Sequence, residues 1–155
     1  MWYNRVVSNL AELPTAIDYY NTELDLAKNE TKITGNLEKN SQELSGITSY
    51  RFGQLQEIEA ILKYLNIKYD KMRSDHYRKY LERYNRQLTD RSIEKYIDGE
   101  DNIVDLSIII NEISLIRNRY LALIKGLDIK AWQIGHIVRL RVVGMEDVNL
   151  GSKGG

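Results

Sequence analysis

The segment that decides the fold is IVDLSIIINEISLIRNRYLALI, residues 103–124, which is mostly apolar and contains neither glycine nor proline. Its β-branched run Ile108–Ile110 alone is compatible with a buried strand. The whole segment is too long for one strand and shows no alternation of apolar and polar residues, so it predicts a helix with little polar face. Because Asp105, Asn111 and Glu112 interrupt its apolar character, we expect no membrane span.

Glycines and an aspartate punctuate the chain after this segment. Gly126 is expected to end the helix, and Asp128 to cap a final helix over residues 129–143, which Gly144 stops. The glycine-rich tail, residues 151–155, is expected to be disordered.

Upstream, the sequence predicts a long helix from Arg51 to about Asp90, followed by a turn at Gly99. Apolar and aromatic residues at alternating spacings of three and four form a seam along it: Leu55, Ile58, Leu62, Leu65, Tyr69, Met72 and His76. The first half of the seam is expected to pack and the second half to project toward solvent or a ligand. The sequence leaves open whether the seam pairs within a subunit or between subunits.

The first fifty residues predict a helix and a turn. Pro14 suits the first turn of a helix over about residues 14–33, and the stretch LSGITSYRFG predicts a turn near 45–50. The resulting division is an N-terminal helical region (1–50), a long, partly basic helix (51–98), an apolar helical region (99–150) and the tail. The predicted fold is all-α, with a long helix and shorter helices in an elongated helical hairpin or bundle.

The last two predicted helices are apolar around most of their circumference, so they need cover on several sides. Four helices in a monomer of this size can cover one such helix, but not two of them together with an elongated third, and we therefore expect self-association. The alternative is a compact monomeric bundle with an ordinary core. The residues expected at subunit contacts are Ile109, Ile113, Ile116, Leu121, Trp132, Ile137 and Leu140.

Composition limits the partners and the cellular compartment that we expect for the protein. The 155 residues include 22 basic and 22 acidic ones, so net charge favours neither nucleic acid nor membrane as a partner. The absence of cysteine fits a reducing compartment, with the cytoplasm of a host cell as the expected location. The segment MWYNRVVSNL lacks the pattern of a signal peptide, and we expect a soluble protein.

The neutral total hides charged blocks. Basic residues are in excess over 71–91, acidic ones over 92–114, and basic ones again over 115–141. In the first basic block tyrosines alternate with cations, which is the combination that binds single strands without reading their sequence. The candidate nucleic-acid-binding residues are Lys71, Arg73, Tyr77, Arg78, Lys79, Tyr80, Arg83, Tyr84 and Arg86. The alternative is that acidic residues of 92–114 pair with these cations across a subunit interface.

Catalytic patterns are missing from the sequence. His76 and His136 are the only histidines, and no nucleophile, third metal ligand or phosphate-binding loop accompanies them. We therefore expect no enzyme, no cofactor and no metal site.

The C-terminal half, from about Lys71 to Leu150, resembles the UvsY family of T-even-type phage recombination mediators, particularly its cyanophage-like members. The similarity lies in a basic tyrosine-rich helix, a short acidic turn, the helix around 109–123 and the closing segment KGLDIKAWQIGHIVRLR. Residues 1–50 match the family poorly.

The resemblance implies a ring-like homo-oligomer that binds single-stranded DNA, destabilises a single-strand-binding protein on it and helps to load a RecA-like recombinase. The basic motif of the family falls on Arg78 and its surroundings, with Tyr80 at one of its basic positions. Two rival functions remain: a helical structural protein of a virion or scaffold, and a helical adaptor that binds only protein.

Overall fold

The computed structural model describes residues 1–84 and 87–145, and the regular structure in this part of the chain is entirely helical. The elements are α1 (Trp2–Ser8), a 3₁₀ turn (Leu10–Glu12), α2 (Leu13–Ala27), α3 (Leu37–Arg83), α4 (Asp90–Asp98) and α5 (Asp101–Val142). The predicted all-α class is confirmed. None of these helices combines the length and the apolar character needed to cross a membrane.

Two long helices, α3 with 47 residues and α5 with 42, form an antiparallel hairpin. At about 1.5 Å per residue each is roughly 65 Å long. The antiparallel direction follows from the packing, since Leu44 of α3 meets Ile134 of α5 at one end and Met72 meets Ile103 at the other. We call residues 69–84 and 87–105 the tip, and residues 1–68 and 106–145 the body.

The short N-terminal helices cover the body of the hairpin. α1 lies on α3, where the Tyr3 amide donates to the Glu57 carboxylate at 2.8 Å. α2 packs on α5, where its Tyr20 ring meets Tyr120 edge-on, and it reaches α3 through side chains such as Glu23, which accepts from Arg51. The buried cluster that results is the main core of the protein.

A buried polar network ties the turn after α2 to both long helices. The Arg51 guanidinium of α3 donates to Glu23 at 2.7 Å and to Glu30 at 2.6 Å. Gln54 donates to Glu23 at 2.8 Å, and its amide oxygen accepts from the Tyr120 hydroxyl of α5 at 3.1 Å. Every charge in this network therefore has a partner, which a buried ion pair requires.

Local signals set several helix ends. The Asn36 side chain caps α3 by accepting from the Lys39 amide at 3.1 Å, and Thr89 caps α4 through the Ser92 amide at 3.2 Å. Pro14 lies in the first turn of α2, as predicted. The predicted turn at Gly99 is also confirmed, because α4 ends at Asp98 and α5 begins at Asp101.

The predicted turn near 45–50 is wrong, and the boundary placed at residue 50 falls inside α3. Gly46 and Gly53 occupy exposed positions where an added Cβ meets no atom within 4 Å, so they weaken the helix without breaking it. On the opposite side of α3, Leu44 and Leu55 are buried, and this burial holds the helix together. The real turn lies at 28–36, so the first predicted helix, 14–33, is too long, and α1 was not predicted.

The predicted break at Gly126 is wrong too, because α5 runs through it and Asp128 lies inside the helix rather than at a cap. Gly126 serves packing instead. A Cβ at this position would lie 2.8 Å from the Thr31 Cγ2 atom, in the turn after α2. The two predicted C-terminal helices are one helix, and the tail at 151–155 lies outside the described residues.

At the tip the long helix ends earlier than predicted, at Arg83, and α4 folds back onto it. Ile93 and Ile97 of α4 are buried against the second half of the seam, including Tyr69 and Met72. The first half of the seam packs as predicted. The second half does not project toward solvent, because α4 and the start of α5 cover it.

Candidate nucleic-acid interface

The predicted cations of the described residues lie on the last four turns of α3, in the tip. Lys71, Arg78, Lys79 and Arg83 are exposed, while Arg73 is half-buried. Arg86 lies outside the described residues.

Acidic residues neutralise two of these cations. Arg73 donates to Asp98 of α4 at 2.7 Å, and this hydrogen bond raises the pKa of the guanidinium. Lys71 lies 3.5 Å from Asp75, one turn further along α3. Arg73 therefore pairs with an acidic residue of the 92–114 segment within one chain, while the alternative of pairs across a subunit interface stays a prediction.

The remaining cations are Arg78, Lys79 and Arg83. Among residues 1–84 and 87–145, none of the three makes an ion pair. Exposed cations of this kind can exchange water and counter-ions for phosphate groups at low cost in desolvation.

The hydroxyls of two predicted tyrosines are bound within the tip. Tyr77 donates to Asp90 at 2.7 Å, and Tyr80 donates to Glu100 at 2.5 Å. These hydrogen bonds raise the pKa of Tyr77 and raise that of Tyr80 to about 12. Both phenols thus fix α4 and the start of α5 to α3.

Three tyrosine rings stack at the tip. The Tyr80 ring lies between Tyr84, with centroids 5.3 Å apart, and Tyr96 of α4, with centroids 5.7 Å apart. Tyr84 is 58% exposed and Tyr96 is 54% exposed, so the stack reaches solvent at both ends. Exposed aromatic faces are platforms on which unpaired bases stack.

Tyr96 was missed because the long helix was predicted to continue to 98. Such a helix places Tyr96 about 24 Å from Tyr80, at a rise of about 1.5 Å per residue. The signal that identifies the fold-back is Thr89 followed by Asp90, a helix-capping residue with an acidic residue in the first turn.

Cations and tyrosines lie on different sides of α3. Successive residues of a helix are about 100° apart, so Tyr77, Tyr80 and Tyr84 form one row that faces α4. Arg78 and Lys79 lie more than about 90° from that row, one on each side of it. Alternation in the sequence therefore does not put the two ingredients on a single face.

The tip also offers no metal site that the described residues reveal. His76 hydrogen-bonds to Asn102 at 2.9 Å and lies 4.0 Å from Glu100. No group of three or more potential ligands converges in the described part of the chain.

The residues predicted at subunit contacts divide by burial. Ile113 and Ile116 belong to the core of the chain itself, and Ile109, Ile137 and Leu140 are half-buried. Leu121 is 45% exposed and Trp132, whose ring stacks on His136, is 64% exposed. Of the seven residues, only these last two are exposed.

No protein-family model matches this chain, and searches of curated proteins and of solved structures found no match either.

Proposed function

We propose that this protein is a non-enzymatic recombination mediator that binds single-stranded DNA through its tip. The observation that carries the proposal is the presence of three exposed cations, Arg78, Lys79 and Arg83, which make no ion pair among residues 1–84 and 87–145. They lie at the same end of α3 as a stack of tyrosine rings whose outer members, Tyr84 and Tyr96, are exposed. Cations neutralise phosphates and open aromatic faces stack on bases, which together bind a single strand in any sequence.

In this proposal the protein acts in the cytoplasm of a host cell as a ring-like homo-oligomer. Each subunit supplies one weak site, and a strand that passes several tips binds more tightly because the later contacts are intramolecular. A single-strand-binding protein on the same DNA is the competitor, and a RecA-like recombinase is the partner that is loaded. The sequence resemblance to the UvsY family supports these roles.

Fluorescence anisotropy of a labelled single-stranded oligonucleotide, titrated at low and moderate salt with duplex as control, tests the proposal. We expect binding that prefers the single strand and weakens as salt rises. Charge reversal at Arg78→Glu with Lys79→Glu should weaken it by about tenfold or more, because two phosphate contacts become repulsive. The matched control, Lys32→Glu with Lys63→Glu, changes the net charge equally at exposed positions away from the tip.

Substitution of the open rings tests the stacking component. Tyr84→Ala with Tyr96→Ala should weaken binding by about thirtyfold or more and leave its salt dependence unchanged, since stacking contributes about 1 to 3 kcal/mol per base and two rings are removed. No binding at low salt, or equal affinities for the tip variant and its control, would overturn the proposal.

A second candidate is a helical oligomeric structural protein of a virion or scaffold. The bonds of Arg73, Tyr77 and Tyr80 to acidic residues favour it, because they make much of the tip a packing surface. It predicts either that the native chain does not bind DNA or that the charge-reversal variant binds DNA as tightly as the native chain does. A helical adaptor that binds only protein predicts capture of a partner without retention of DNA.

A further inference from the structure

An apolar row runs along the side of α5 that faces away from α3. Val104, Ile108, Leu115 and Ala122 are exposed there, with Ile108 at 59% and Leu115 at 50%. Ile108, Leu115 and Ala122 are seven residues apart, which is the repeat of a coiled-coil seam. With Asn111 and Asn118, at the alternating positions, these residues make up what we call the outer row.

The row is separate from the packing surface of α5. Leu106, Ile113 and Tyr120, which are buried against α2 and α3, lie roughly opposite to it at about 100° per residue. A helix with two apolar sides, one covered and one open, has room for a partner helix on the open side.

Charges beside the outer row change sign at Leu115. Glu112 precedes it and Arg119 follows it on the same side of the row, and both are exposed. Within residues 1–84 and 87–145 neither takes part in an ion pair, and the Arg119 guanidinium makes only a long hydrogen bond, 3.4 Å, to the Asn21 side chain of α2.

This pattern is complementary to itself when reversed. In an antiparallel pair of α5 helices centred on Leu115, the two Leu115 side chains meet and Ile108 lies opposite Ala122 of the second copy. The same register brings Asn111 near Asn118 and places Glu112 of each copy beside Arg119 of the other, because both residues lie on the same side of the row. In a parallel pair the two Glu112 side chains lie on opposite sides of the seam, and neither faces Arg119.

We propose that two copies of this chain associate through the outer row, antiparallel, about a two-fold axis at Leu115. The inference rests on the self-association included in the proposed function and assigns it a surface and a symmetry. Facing asparagines in the seam fix the register, as single polar residues do in coiled coils. Because an isologous contact joins subunits in pairs, an assembly in which every subunit uses this contact has an even number of subunits.

Cysteine cross-linking tests the axis directly, because the chain has no cysteine of its own. Leu115→Cys should form a disulfide-linked dimer under mild oxidation, since a residue on a two-fold axis faces its own copy within the reach of a disulfide. Leu26→Cys on α2, at a residue that is 66% exposed, is the control and should cross-link far less.

Direction is tested with a pair of variants. Ile108→Cys and Ala122→Cys should each cross-link poorly alone and efficiently when mixed, because the antiparallel register brings one opposite the other. Efficient cross-linking of Ile108→Cys with itself indicates a parallel pair and overturns the proposal, as does Leu115→Cys that cross-links no better than the control.

Light scattering of variants with exchanged charges tests the contact independently, in an assembly that is not cross-linked. Glu112→Arg and Arg119→Glu should each raise the dissociation constant of the dimer by about tenfold or more, and the double variant should restore it. A native chain that is monomeric at micromolar concentration, or a double variant that is not restored, overturns the proposal. The cross-linking and light-scattering experiments are done without DNA. A chain that cross-links as expected but does not bind DNA would therefore contradict the proposed function and support the two-fold contact.

Discussion

Arg51 in the body and Arg73 in the tip both join α3 to carboxylates of another element, but in different surroundings. The Arg51 side chain is 5% exposed and bridges Glu23 and Glu30, whereas Arg73 is 26% exposed and its partner Asp98 is 63% exposed. Where water is excluded, an unpaired charge is costly, so the body pairs are structurally required. Where water remains, a carboxylate is replaceable by water or by a phosphate. The same residue types thus stabilise one region and leave the other open to ligands.

The largest expected effect comes from breaking the ion pairs of Arg51 in the body, and the same change at Arg73 in the tip serves as the comparison. Arg51→Met leaves Glu23 and Glu30 in the body without their cation, and we expect a loss of about 3 kcal/mol in the free energy of unfolding. Arg73→Met should cost less than about 1 kcal/mol, because Asp98 stays hydrated. Urea denaturation followed by circular dichroism measures both. Equal losses for the two variants would show that the body and the tip do not differ in this way.

Glycines provide the next test of the same difference. Gly126→Ala places a Cβ 2.8 Å from Thr31 Cγ2, and we expect a destabilisation of about 1 to 2 kcal/mol despite the better helix propensity of alanine. At Gly99 in the tip an added Cβ has its nearest contact at 3.7 Å, so Gly99→Ala should be nearly neutral. The double variant Thr31→Ser with Gly126→Ala removes the clashing methyl group and should recover most of the loss in urea denaturation. Failure to recover it would assign another role to Gly126.

These glycines also show which features of the fold local sequence signals predict correctly and which they do not. The all-α class, Pro14 at the start of a helix and the turn at Gly99 follow from local signals, and all three are confirmed. Gly46 and Gly126 have the same local signal, yet both lie inside helices. The difference from a true helix end comes from contacts distant in sequence, such as Thr31 against Gly126, which a local pattern does not contain.

For the candidate interface, the sequence identified the basic block but not its geometry. Arg78, Lys79 and Arg83 are exposed, as a binding role requires. The fold-back of α4 puts Tyr96 on the tyrosine stack and gives Arg73, Tyr77 and Tyr80 acidic partners. Predicting those partners required recognising that α3 ends at Arg83. A single long helix without this break places the same residues far apart.

Acid should affect the body through Glu23. Burial alone raises the pKa of this carboxyl, but hydrogen bonds from Gln54, Arg51 and Tyr50 outweigh burial and lower the pKa below its ordinary value of 4.5. The unfolded chain therefore binds a proton more readily than the folded one, so this stabilisation is fully present above pH 4.5 and is lost as the pH falls below 4.5 and through the lower pKa of the folded state. Urea denaturation at a series of pH values measures the decline.

The matched variant for the acid experiment is Glu23→Gln. It should be less stable at neutral pH and should show a shallower decline, by up to about 1.4 kcal/mol per pH unit for the one proton that it no longer binds. A decline as steep as that of the native chain would assign the acid sensitivity to other carboxyls.

The smallest expected effect lies in the tip, at the hydroxyl of Tyr80. Tyr80→Phe keeps the ring between Tyr84 and Tyr96 but removes the hydrogen bond to Glu100, which joins α3 to the start of α5. A partly buried hydrogen bond of this kind contributes up to about 1 kcal/mol, so amide exchange over residues 90–98 should quicken by about fivefold or less while exchange in the body stays unchanged. Hydrogen–deuterium exchange followed by mass spectrometry resolves the two regions. Faster exchange in both regions would mean that the tip and the body unfold as one unit. The difference between their arginine and tyrosine contacts would then not make one region less stable than the other.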